Sequence, residues 1–187
     1  MIPISTLFIG IHCILGLVLS CIVAIQRSKN RIWHGSSVSE ARHQPNYLQN
    51  PSSWQTFIEN WTKQTYPNIS SSTNNNHNPE LLQRKIRAHC NFTEYTPQAL
   101  LMIVCLEIMI TSSSKTSSSD SSSTSTDFTV IWLLGIVLTI SRITHAYGLI
   151  VTYGPSINRA IGYFGTLFVY FIGGITCFQL AWNELQS

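Results

Sequence analysis

Charged side chains are scarce in this chain. Only 10% of its 187 residues are charged, whereas 44% are hydrophobic. A typical soluble domain carries about 25% charged residues. The composition therefore disfavours a soluble globular protein, and we expect no nucleic-acid partner.

The chain also lacks the cysteine patterns of disulfide scaffolds and metal sites. Its five cysteines include no Cys-x-x-Cys pair, and four of them lie deep in apolar segments. An odd number of cysteines placed in this way argues against a disulfide framework. No histidine and cysteine spacing indicates a metal centre.

Two further absences concern the apolar segments themselves. No basic residue precedes the first apolar run, and the first charge in the chain is Arg27. A secretory signal has a basic start and a shorter apolar core, so we interpret this run as a retained helix. Paired repeats and broken helices, which are typical of transporters, are not apparent in the sequence.

Four apolar segments dominate what is present, at residues 2–26, 88–110, 128–151 and 160–182. At about 1.5 Å per residue, each is long enough to cross a hydrocarbon core of about 30 Å. The sequence therefore predicts an all-α membrane protein, with a single domain over residues 1–187 built as a four-transmembrane-helix bundle.

Polar segments separate these helices and indicate their orientation. Residues 27–86 form a long polar loop insertion, and residues 111–127 form a loop rich in serine and threonine. Eight of the eleven basic residues lie between the first and second helices, whereas Lys115 is alone between the second and third. The positive-inside rule places the first and third loops on the cytoplasmic or an equivalent side.

Polar side chains at the start of the second helix share one face, because they are spaced at i, i+4, i+7 and i+8. They are Arg87, Asn91, Glu94 and Tyr95. One interpretation is a site for a small zwitterionic or anionic molecule, in which Arg87 holds a carboxylate. The other is contact between helices, in which Glu94 pairs with Arg142 and nothing is bound. The residues alone leave both open.

The third helix carries Arg142 and His145, which are three residues apart and share a face. A buried arginine requires a carboxylate or a ligand, and Glu94 and Glu107 are the candidate carboxylates within the helices. We expect Glu107 to reach the opposite membrane interface, since it lies near the far end of its helix.

The fourth helix begins with Arg159 and Tyr163, which are four residues apart and on one face. The arginine either lowers the pKa of a bound thiol by stabilising the thiolate or anchors the helix at the membrane interface. Further along, four residues are small enough to let helices approach closely, namely Gly162, Thr166, Gly173 and Gly174.

Three motifs together resemble the MAPEG family, the membrane-associated proteins of eicosanoid and glutathione metabolism. The second helix opens with Arg-Ala-His-x-Asn-x-x-Glu-Tyr-x-Pro at Arg87–Pro97. The third contains Arg-x-x-His-x-x-Gly at Arg142–Gly148, and the fourth opens with a proline followed by Arg-x-x-x-Tyr at Arg159–Tyr163. The resemblance covers all four helices and lapses in the two loops.

The resemblance implies a homotrimer that binds glutathione as co-substrate between neighbouring protomers. By motif position it assigns glutathione-binding residues and one catalytic residue, Arg159. The binding residues are Arg87, Asn91, Glu94, Tyr95, Arg142, His145 and Tyr163. The implied activity is that of a glutathione transferase or peroxidase acting on lipophilic electrophiles or hydroperoxides from the bilayer. The alternative is a non-catalytic structural or lipid-binding subunit of a membrane complex.

Overall fold

Four long helices make up nearly all of the described chain. The computed structural model describes residues 2–30, 56–57, 60, 79–116, 121–152 and 156–186. The helices are α1 (Pro3–Asn30), α2 (Pro79–Thr116), α3 (Ser121–Val151) and α4 (Ile157–Gln186).

All four helices contain a span that is long and apolar enough to cross a membrane. These spans are Pro3–Asn30, Glu80–Ser112, Phe128–Val151 and Ile157–Gln186. Large apolar side chains also lie exposed on the outer faces, among them Ile14, Leu101 and Phe171, each about two-thirds exposed. Such faces require lipid or another protein surface. The predicted all-α membrane architecture with four transmembrane helices is confirmed.

The helices extend beyond the apolar segments that predict them. α2 begins at Pro79, so residues 79–86, assigned to the first loop from the sequence, are helical. Proline is favoured in the first turn of a helix and Glu80 suits its positive end, while Leu82 is fully buried. Residues 111–116 and 121–127 are likewise helical, so most of the predicted second loop belongs to α2 and α3. Most of the predicted first loop lies outside the described residues.

The chain forms two compact units, Met1–Leu17 with Cys90–Ser187 and Val18–His89. The first unit contains one hydrophobic core to which all four helices contribute. Its buried members are Ile4, Phe8, Ala99, Ile103, Leu106, Ile110, Ile131, Leu134, Leu138 and Val169.

Glycines allow α3 and α4 to pack closely within the first unit. A Cβ atom on Gly162 would lie 2.6 Å from the Ser141 carbonyl oxygen and 2.7 Å from the Cα of His145. Gly173 is covered by the side chain of Met102 from α2, whereas Gly174 has no atom within 4 Å of a Cβ position. Gly162 and Gly173 thus lie at close approaches as predicted, but Gly174 does not.

The second unit joins the end of α1 to the start of α2 through polar side chains. Lys85 Nζ donates a hydrogen bond to Gln26 Oε1 at 2.7 Å. The amide of Gln26 donates in turn to Asn30 Oδ1 at 3.2 Å, and both Gln26 and Asn30 are buried. This end of the two helices is therefore held by hydrogen bonds as well as by apolar contact.

Candidate functional site

Arg142 lies at the centre of the candidate site and is only 3% exposed. Its Nη1 donates to Asn91 Oδ1 of α2 at 3.1 Å, and its Nη2 donates to the carbonyl oxygen of Gly162 in α4 at 3.2 Å. Nη2 also donates to Thr166 Oγ1, whose own hydroxyl donates to the Gly162 carbonyl at 2.8 Å. One guanidinium therefore connects three helices.

The described groups that contact the positive charge of Arg142 are all neutral. Its guanidinium carbon lies 5.8 Å from the centre of the Tyr95 ring, within the range of a cation–π contact. Among the described residues no carboxylate contacts it. A buried charge without a counter-ion is costly, so this position favours binding of an anion.

The two candidate carboxylates both lie elsewhere. Glu94 is exposed and makes no hydrogen bond or ion pair with the described residues, so the Glu94–Arg142 pair considered from the sequence is not formed. Glu107 is fully buried inside the protein, at the level of the first turn of α1. Its carboxylate accepts the backbone N–H groups of Ile4 and Ser5 at 3.1 and 2.7 Å. Glu107 thus caps the first turn of α1.

A small cavity, partly open to the surface, lies beside Arg142. Its lining combines four residues predicted from the sequence with three that were not. The lining residues are Asn91, Tyr95, Arg142, Tyr163, Thr166, Leu167 and Tyr170. A cationic group, an amide and hydroxyls on an otherwise aromatic and aliphatic wall suit a ligand with both anionic and amide groups.

Tyr170 supports this wall by joining α4 to α2. Its hydroxyl donates to the carbonyl oxygen of Tyr95 at 2.7 Å and lies 3.3 Å from Oε1 of Gln98. Thr166, Leu167 and Tyr170 follow Tyr163 by three, four and seven residues. That helical spacing was the available signal for these missed residues.

His145 and Arg159 lie next to one another where α3 meets the start of α4. Nδ1 of His145 is 3.1 Å from the carbonyl oxygen of Arg159, and because a carbonyl only accepts, this nitrogen carries the proton. A Cβ atom on Gly148 would lie 2.8 Å from Cγ of Arg159, so the arginine packs over this glycine. Both His145 and Arg159 are half-buried, and neither lines the cavity.

Ser156 determines where α4 begins. Its hydroxyl oxygen accepts the N–H of Arg159 at 3.4 Å, and its carbonyl accepts the N–H of Ala160 at 3.0 Å. This is the contact of an N-cap serine with the third residue of a helix. It places the Arg159 charge in the first turn of α4, where the helix dipole is also positive. Both effects favour an anion nearby.

The remaining predicted binding residue, Arg87, belongs to the second unit. It is exposed on α2, and the neighbouring His89 is half-buried. The first unit therefore brings together Asn91, Tyr95, Arg142 and Tyr163 around one cavity.

Comparison with known proteins agrees with the motifs in the helices. The sequence model of the MAPEG family matches residues 5–179, which is nearly the whole chain. The chain belongs to the MAPEG family. It is therefore a multi-pass membrane protein of a family associated with glutathione and eicosanoid metabolism. Comparisons with curated proteins and with solved structures gave no match.

Family membership covers every helix that contributes to the cavity. The matched range begins in the first turns of α1 and ends within the last turns of α4. The residues around Arg142 thus lie within the matched range.

Proposed function

We propose that this MAPEG protein binds glutathione in the cavity beside Arg142 and uses its sulfur against lipophilic substrates. The observation that carries the proposal is the buried charge of Arg142, which no described carboxylate balances and which lies on the cavity wall. Glutathione offers two carboxylates, two amide groups and an ammonium group. Its chemistry complements the side chains found there.

Each predicted binding residue has a role in this proposal. Arg142 pairs with a glutathione carboxylate, Asn91 bonds an amide, and Tyr95 and Tyr163 contact the tripeptide from two helices. Glu94 takes the ammonium group, and Arg87 is assigned to glutathione by its motif position. His145, which does not line the cavity, contacts the carbonyl of Arg159 at the start of α4. Arg142 contributes the largest share of the binding free energy, because a charge-assisted hydrogen bond in a shielded site is about twice as strong as a neutral one.

Arg159 is the proposed catalytic residue. Its charge and the amino end of α4 stabilise the glutathione thiolate, which raises the reactive fraction at neutral pH. In the transferase reaction the thiolate sulfur forms a bond to an electrophilic carbon, and the leaving group departs with its electron pair. In the peroxidase reaction, two glutathione molecules and one hydroperoxide give glutathione disulfide, an alcohol and water.

The second substrate is proposed to arrive from the bilayer. Leu167 and the tyrosine rings give the cavity an apolar wall, and α4 exposes Phe164 and Phe168 close by in sequence. A lipophilic electrophile or hydroperoxide partitions into these apolar surroundings. With the first and third loops on the cytoplasmic side, glutathione reaches the same site from water.

A homotrimer is proposed as the working assembly. Tyr95 and Tyr163 are 40% and 49% exposed although they line the cavity, so a second surface can close over them. A neighbouring copy of the chain is the occupant that the family resemblance implies. In this arrangement each site is completed by the adjacent protomer.

A non-catalytic structural or lipid-binding subunit is the second candidate. The observation in its favour is that Arg159 does not line the cavity of the single chain. A protein of this kind would keep the fold and a ligand site without turnover.

The deciding experiment measures glutathione binding to detergent-solubilised protein by calorimetry, together with the absorbance difference of the bound thiolate. We expect binding with a thiolate signal in the wild type. Arg159→Ala should retain the oligomer and lose the thiolate signal and most turnover, whereas Arg159→Lys, which keeps the charge, should retain part of both.

The outcomes separate the two candidates. Unchanged turnover in Arg159→Ala contradicts the catalytic role of Arg159. An intact oligomer that binds no glutathione contradicts the proposed function and favours the structural or lipid-binding role.

A further inference from the structure

Three buried polar atoms, one each on α1, α2 and α3, have no hydrogen-bond partner among the described residues. They are Nε2 of His12, Nε of Arg142 and Oγ1 of Thr96. The three residues are only 2–3% exposed. Buried polar groups in native proteins are nearly always paired, with protein or with an ordered water, so three such atoms require an explanation.

The packing of α1 against α2 brings His12 and Thr96 to the same face. The His12 ring stacks on Phe92 with the ring centres 6.1 Å apart and an interplanar angle of 22°. Thr96 follows Phe92 by one helical turn on the same face of α2, and further along that face Glu107 contacts the start of α1. Thr96 therefore faces α1 near the level of His12.

Arg142 reaches this place from α3. That helix contacts α1 one turn before His12, where the ring of Phe8 covers Gly135. Nη1 of Arg142 donates to Asn91, which is next to Phe92 in α2. The guanidinium also contacts the ring of Tyr95, which is next to Thr96. Nη2 bonds two groups of α4 and Nη1 bonds one group of α2, which leaves the second N–H of Nη1 for a ligand. Nε has no partner among the described residues.

The donors and acceptors of the three atoms match one water molecule. Nδ1 of His12 donates to the Phe8 carbonyl at 2.8 Å, so Nε2 of the neutral ring is an acceptor, while Nε–H of Arg142 is a donor. We propose that a buried water accepts from Arg142 Nε, donates to His12 Nε2 and donates to Thr96 Oγ1. It makes about three hydrogen bonds, the number typical of buried waters.

This bridge makes His12 a positioning residue for Arg142. The guanidinium is planar, and its two ends are bonded to helices α2 and α4. A third bond at Nε, supported from α1, fixes its plane at the cavity wall. The consequence for ligand affinity rests on the proposed function, whereas the bridge itself does not.

The test observes the Arg142 Nε–H directly by ¹⁵N nuclear magnetic resonance of the full chain in nanodiscs. Arginine labelled at Nε gives signals from seven residues, and Arg142→Lys identifies the signal of interest. We expect His12→Phe, which keeps a ring on Phe92 and removes the acceptor, to move this proton signal upfield. His12→Gln places an acceptor near the Nε2 position and should leave the signal near its wild-type place.

Two further variants keep the test decisive. Thr96→Val removes the hydroxyl at nearly constant shape and should shift the same signal in the same direction as His12→Phe, even where the latter folds poorly. Ser5→Ala is the matched control, because Ser5 Oγ is also buried and unpartnered on α1 but lies two turns from His12. An unchanged signal in both His12→Phe and Thr96→Val, or an equal shift in Ser5→Ala, overturns the bridge.

Glutathione calorimetry then tests the consequence. Loss of a hydrogen bond to a charged group predicts about a tenfold weaker affinity for His12→Phe, with His12→Gln and Ser5→Ala close to the wild type. Equal affinities in all variants overturn the positioning role. If the wild type binds no glutathione, the proposed function has failed, and the Nε–H signal still decides whether the bridge exists.

Discussion

The carboxylate of Glu107 in α2 accepts the backbone N–H of Ser5 in α1 at 2.7 Å, across 102 positions of sequence. A second oxygen of the same carboxylate accepts the N–H of Ile4 at 3.1 Å. The first intrahelical bond of α1 runs from Thr6 to the carbonyl of Ile2, so Ile2 occupies the N-cap position with an apolar side chain. The cap that this position lacks comes from another helix.

Glu107→Ala should therefore destabilise the protein. Each buried N–H left without an acceptor costs about 1–3 kcal/mol, and two donors lose theirs. Glu107→Gln keeps one acceptor oxygen and should lie between the alanine variant and the wild type. Unfolding in mixed micelles measures the effect, with Glu94→Gln at an exposed position as control. Equal stability of Glu107→Ala and the control would show that the cap contributes nothing.

The helices were predictable because their signal is local. A membrane span requires about twenty consecutive apolar residues, and each of the four segments shows such a run. The role of Glu107 was not predictable, because it depends on which helix end lies opposite its side chain. A glutamate near the end of an apolar run is compatible with both an interface and a buried cap.

The candidate site was likewise predictable only in part from the sequence. The motifs identified Asn91, Tyr95, Arg142 and Tyr163, which line the cavity. Thr166 was noted only as a small packing residue, although its hydroxyl bonds Arg142. Polar residues on a membrane helix serve both packing and binding, so only three-dimensional contacts separate the two roles.

Gly162→Ala and Gly174→Ala form a matched pair on α4. The added methyl at Gly162 meets backbone atoms of Ser141 and His145, which cannot rotate away, whereas Gly174 has open space. We expect Gly162→Ala to cost about 1–3 kcal/mol through overpacking, and Gly174→Ala to be neutral or slightly stabilising. Thermal unfolding in detergent compares them. Equal unfolding temperatures would contradict the close α3–α4 contact at Gly162.

Asn91→Asp should change stability and ligand binding in opposite directions. The new carboxylate would take the place of the amide oxygen that lies 3.1 Å from Arg142 Nη1 and would balance the buried charge. A charge-assisted bond in place of a neutral one should raise the free energy of unfolding by about 1 kcal/mol. The same pairing should weaken binding of glutathione, because Arg142 no longer attracts its carboxylate.

Gln98→Glu is the control for Asn91→Asp, since it adds the same charge to an exposed position of the same helix. Chemical unfolding and calorimetry are measured on both variants. Glutathione affinity that falls equally in the two would indicate a general charge effect and contradict a specific role for Arg142.

Tyr163 and Tyr170 line the same cavity but use their hydroxyl groups differently. The hydroxyl of Tyr170 donates its proton to the Tyr95 carbonyl and so holds α4 to α2, whereas that of Tyr163 has no hydrogen bond to the described residues. Tyr170→Phe should lower the free energy of unfolding by about 1 kcal/mol and leave glutathione affinity nearly unchanged. Tyr163→Phe should leave stability unchanged and weaken glutathione binding, because its hydroxyl is available to a ligand. Each variant is the control for the other, with unfolding and calorimetry measured on the same preparations. Loss of glutathione affinity without loss of stability in both variants would contradict this division.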